Sequence, residues 1–107
     1  MNGSQNPSSK KHQPNLPTVR KIRRACSNEL YRTVKRLKTF ISKEKVEEAE
    51  KLYTKKVCLS IVFVHENHDN RKKLCDWWDE NVSAEIAELW EVDPERLRQA
   101  FRDAFGG

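Results

Sequence analysis

The chain has 107 residues, 36% of them apolar and 35% charged, which allows one domain with a modest core and argues against both a multidomain enzyme and a wholly disordered chain. The net charge of +5 divides unevenly: residues 1–41 carry ten Lys/Arg against one acid, and residues 42–107 carry eleven against fifteen. Three cysteines, an odd number, argue against a disulfide framework and for a reducing compartment.

Residues 1–16 are polar, with no apolar face to bury, and read as a disordered basic arm. They carry no apolar stretch of the secretory-signal kind. Lys10-Lys11, followed by Arg20-Lys21-Ile22-Arg23-Arg24, resembles a bipartite nuclear import signal. The expected location is intracellular: cytoplasm or nucleoid, or the nucleus in a eukaryotic or viral setting.

From about Thr18, apolar residues recur at Val19, Ile22, Cys26, Leu30, Val34, Leu37 and Ile41, one stripe of a long amphipathic helix. Arg20, Lys21, Arg23, Arg24, Lys35 and Lys38 fall off that stripe and form a basic face suited to phosphates. Ser42 is a plausible N-cap for a second helix with Val46, Ala49, Tyr53, Val57 and Val64 in period, running to about His65. Within it, Val57–Val64 has the β-branched richness of a buried strand, but no other segment offers a partner strand, so helix is preferred. This run is also the longest apolar one and is too short to cross a bilayer, so no membrane association is expected.

A polar turn, Glu66–Asn70, precedes a third helix over Arg71–Asn81 with Leu74, Cys75 and Trp78 on one face. Only one of Trp77 and Trp78 is expected to face the core fully, which leaves the other as a partial surface anchor. Cys58, His65, His68 and Cys75 are zinc-competent residues, but only the two histidines are spaced as an ordinary ligand pair. No metal or cofactor is expected. No nucleophile elbow, phosphate-cradling Gly loop or Cys–His–Asn order is present, so no enzyme is expected either.

Ser83–Phe105 reads as two short amphipathic helices, with Asp93 as N-cap and Pro94 at the first position of the second. Ile86, Ala87, Trp90, Val92, Leu97 and Ala100 occupy the apolar and small positions that two crossing helices need. In this spacing the segment resembles the helix-turn-helix of DNA-binding proteins, departing from it at Glu91, where the turn usually has Gly. The resemblance implies that Arg96, Arg98, Gln99 and Arg102 face the major groove, while the basic helix and arm neutralise phosphates.

The expectation is an all-α bundle of about five helices over 17–107. Its expected partner is DNA, with RNA or single strands as variants and a homodimer as the plausible state. The competing expectation is a helical protein-binding adaptor or oligomeric scaffold.

Overall fold

The computed structural model describes residues 16–106, so the basic arm up to Asn15, including the Lys10-Lys11 half of the import-like signal, lies outside the described residues, as does Gly107. The described residues form an all-α bundle of six helices: α1 (Val19–Leu37), α2 (Lys43–Leu59), α3 (Ile61–Glu66), α4 (Arg71–Asn81), α5 (Ser83–Trp90) and α6 (Pro94–Phe105). The core lies where α1 crosses α6 and α2, with α4 and α5 closing the remaining sides.

Local chemistry sets most of the boundaries. The Thr18 hydroxyl accepts the Lys21 N–H at 3.2 Å and starts α1, and the Ser42 hydroxyl does the same for Lys45 at 3.3 Å in α2. The Asn70 side chain caps α4 through the Lys73 N–H, and Asp93 caps α6 through the Arg96 N–H with Pro94 behind it. Ile22, Cys26, Leu30, Thr33 and Leu37 are the buried stripe of α1, which runs unbroken from Val19 to Leu37.

Two boundaries differ from the sequence reading. α1 stops at Leu37, because Lys38 turns left-handed (φ 58°) and bonds back to the Val34 carbonyl; Ile41 continues the apolar period but is buried from a loop. The second helix breaks at Ser60 (φ −119°, ψ 31°), whose N–H is shared by the Lys56 and Val57 carbonyls, so α2 and α3 replace one long helix. The bundle therefore has six helices rather than five, and Val57–Val64 is helical on both sides of that break.

α5 and α6 are joined by Glu91–Asp93. The Val92 N–H bonds to the Ala87 carbonyl (3.0 Å) and the Glu91 N–H to the Glu88 carbonyl (3.2 Å), a Schellman stop with Glu91 at its left-handed position (φ 57°). Without a glycine there, the turn bears a backbone cost of about 1–2 kcal/mol. Lys45 pairs with Glu91 at 3.4 Å, and the Trp90 indole donates to the Lys45 carbonyl at 3.0 Å, so α2 holds the turn from outside.

The aromatic centre is formed by Trp78 and Phe101, stacked at 3.9 Å between centroids, with Tyr53 edge-on to both at 6.2 Å. Trp77 and Trp78 are both buried, which corrects the expectation that only one faces inward. The bundle is narrow enough that α4 is covered on two sides: Trp78 enters the central stack, and Trp77 turns into the space between α1 and α3.

Candidate nucleic-acid interface

The solvent side of α1 gathers the basic residues singled out from the sequence. Arg20, Lys21, Arg23, Arg24, Lys35 and Lys38 are all exposed. Arg20, Arg24, Tyr31 and Lys35 follow helical spacing along a single line, which at 1.5 Å per residue spans about 22 Å. Among the described residues, none of the eight Lys/Arg between Arg20 and Lys38 enters an ion pair. Tyr31 is largely exposed within this line, and the Lys35 ammonium sits 4.7 Å from its ring centroid.

The first turns of α1 carry Arg20, Lys21, Arg23 and Arg24 and no acid. Cations at a helix N-terminus oppose the macrodipole, at a cost of about 0.3–1 kcal/mol each near the first turn. Folding gives no reason to place Arg20 and Lys21 in that turn, with Arg23 and Arg24 following in the next. The one acid of α1, Glu29, is drawn inward, where its carboxylate accepts a hydrogen bond from the Tyr53 hydroxyl. Desolvation raises the Glu29 pKa, with Tyr53 and Arg32 acting in the opposite direction. Glu29 thus does not lie among the exposed cations.

α6 presents the opposite case. Arg96 donates to the Leu37 carbonyl at 2.7 Å and so closes the C-terminus of α1. Arg98 pairs with Glu95, and the Gln99 amide donates to Asp103 at 3.0 Å. Arg102 bridges α6 to α4 through Asp76 and Asp79, both at 2.7 Å. The two hydrogen bonds to those carboxylates, Asp76 first, raise the Arg102 pKa, and Arg102 in turn lowers that of Asp76. Every member of the expected base-reading set has a partner inside the chain. Arg98 and Gln99 keep theirs on the same helix, whereas Arg96 and Arg102 tie α6 to its neighbours.

The Cys–His series does not assemble into a ligand set: among the described residues no three His, Cys, Asp or Glu side chains are placed to hold a metal ion. His65 and His68 stack on each other at 5.8 Å, and Cys75 is buried in the core. Burial pushes the Cys26 thiol up to about 12 and raises that of Cys75, so neither supplies a thiolate near neutral pH. Among the described residues no helix is long and apolar enough to cross a membrane.

The tie from Arg96 to Leu37 and the bridge from Arg102 to Asp76 and Asp79 span 23 to 59 residues, beyond the reach of local pattern. The exposed Tyr31 is legible only in retrospect, as the aromatic residue interrupting a line of cations. A search of protein-family models, curated proteins and solved structures finds no match to this chain.

Proposed function

We propose that the chain is a nucleic-acid-binding protein, a small DNA-binding accessory factor that grips the phosphate backbone with the solvent face of α1. The observation that carries this reading is the unpaired state of the α1 cations, two of them, Arg20 and Lys21, in the first turn, where the helix dipole disfavours them. A line about 22 Å long matches on the order of six phosphates of one strand of a duplex. Lys10 and Lys11 of the preceding sequence add to the same charge.

Base reading by α6, which the helix-turn-helix resemblance implies, is the finer form of the proposal. It requires Arg98 and Gln99 to exchange Glu95 and Asp103 for base edges, while Arg96 and Arg102 remain engaged in the fold. Binding is therefore dominated by phosphate contacts and tolerant of sequence. The test is fluorescence anisotropy of a labelled duplex across a salt series. Affinity should fall steeply, with a log–log slope of about −4 or steeper if four or more phosphates are neutralised. A flat salt response, or no binding at low salt, refutes the proposal. Competition with RNA and single strands identifies the preferred form.

A second reading, an adaptor or homodimer, is favoured by one specific observation. Leu59 (74% exposed), Val62 (56%) and Phe63 (40%) are exposed apolar residues on either side of the α2–α3 break. Sedimentation of the wild type against Val62→Lys tests its homodimer form: a dimer that dissociates in the variant supports it, and a monomer in both removes it.

A further inference from the structure

A cavity of about 190 Å³ opens between the first half of α1 and the α3–α4 segment, with the end of α6 as its far wall. Its floor is buried and apolar, with Ile22, Val57, Leu74, Trp77 and Phe101 contributing. Its mouth is set by exposed residues, Lys21 and Ala25 on α1 and His68 after α3. Glu29 and Tyr53 also line it, and they are paired: the Tyr53 hydroxyl donates to Oε1 of Glu29. The second oxygen, Oε2, has no hydrogen-bond partner among the described residues and is not one of the buried unpaired polar atoms, so it is open to solvent. A half-open, mainly apolar cleft lined by one carboxylate complements a particular class of molecules. The body must be apolar and ring-sized, with a donor that reaches the carboxylate, and any further polar group belongs at the mouth beside Lys21 and His68.

Volume and charge narrow the class further. An apolar cavity of roughly 150 Å³ holds benzene, so this one accommodates one ring with a substituent or two fused rings. The Glu29 carboxylate calls for a hydrogen-bond donor, and Lys21 at the mouth offsets part of its added pull on a full cation, so an N–H or O–H donor meets it.

We propose that this cavity is a binding site for an aromatic molecule of one or two rings that donates a hydrogen bond to the Glu29 carboxylate, a phenol or an indole being the type. The site shares Lys21 with the basic face of α1 but has its own apolar floor, and it stands or falls independently of nucleic-acid binding.

The experiment uses the full chain labelled with ¹⁵N and titrated with indole, then with 1-methylindole, which keeps the ring but lacks the donor. Indole should produce saturable shifts centred on Ile22, Trp77 and Phe101, and 1-methylindole should bind at least about tenfold more weakly. Ala25→Phe narrows the mouth from an exposed position and should abolish the shifts while retaining the wild-type circular dichroism; Val64→Phe does the same from the α3 wall if the first variant unfolds. Absence of saturable shifts with indole overturns the site. Equal affinity for 1-methylindole overturns the role of Glu29, and undiminished binding in a folded mouth variant overturns the location.

Discussion

α1 and α6 are both amphipathic, both rich in arginine, and packed against each other, yet their cations meet opposite fates. On α6, Arg96 closes the end of α1, Arg98 and Gln99 turn back onto Glu95 and Asp103, and Arg102 is clamped by two aspartates of α4. On α1, seven Lys/Arg, followed by Lys38 at its C-cap, are exposed to solvent with no ion-pair partner among the described residues. Counting arginines does not distinguish the two helices, but asking what each guanidinium already touches does. A cation held by a buried carbonyl or two carboxylates serves the fold, and its release carries the cost of leaving those partners unsatisfied. A cation left exposed where the helix dipole disfavours it has no structural reason to be there.

The largest effect should come from neutralising the first turns of α1. Arg20→Ala, Lys21→Ala, Arg23→Ala and Arg24→Ala together should weaken duplex binding at low salt by at least about 100-fold and reduce the salt slope by about 3–4. The same variant should melt no lower than the wild type in a calorimetric scan, because unfavourable dipole interactions are removed. Arg102→Ala should reverse the pattern. It leaves a carboxylate oxygen of Asp79 without its cation beside another buried oxygen that already has no partner, and should lower unfolding stability in urea by about 1–2 kcal/mol. Its effect on duplex affinity should stay within about twofold.

Glu91→Gly tests the turn between α5 and α6. Glycine relieves the left-handed backbone but loses the exposed pair to Lys45, so denaturation should show a gain of about 0.5–1 kcal/mol. The smallest change concerns Glu29, the one acid on α1. Its folded pKa is raised by burial, so the folded state holds the proton more tightly than the unfolded chain. Its contribution is therefore most favourable below the ordinary carboxylate range and is lost as pH rises through the folded value. Glu29→Gln should flatten that part of the stability profile, measured by urea unfolding at a series of pH values, and change duplex affinity by less than about twofold. Asp76, whose pKa Arg102 lowers, acts in the opposite sense, its contribution being present above the ordinary value and lost as pH falls.

What the sequence reveals and conceals follows from range. Caps and stops are local: Thr18, Ser42 and Asp93-Pro94 mark the starts of α1, α2 and α6, and Glu91 takes the positive φ expected where a glycine is usual. The break at Ser60 escapes because apolar residues keep the helical period across it while the backbone does not. The end of α1 is misplaced for the same reason, with Ile41 extending the stripe from a loop. The basic face of α1 is visible as residues off a stripe. That the α6 cations are already engaged is not visible, because Leu37, Asp76 and Asp79 are brought to them only by the tertiary fold.

The most direct test of the contrast between the two helices is a ¹⁵N-resolved titration of the full chain with an unlabelled duplex at low salt. The account predicts perturbations along α1, concentrated from Arg20 to Arg24 and at Tyr31 and Lys35, with Arg96 and Arg102 of α6 left in place. Perturbations centred on Arg96–Arg102 with α1 silent, or none at all, would contradict it.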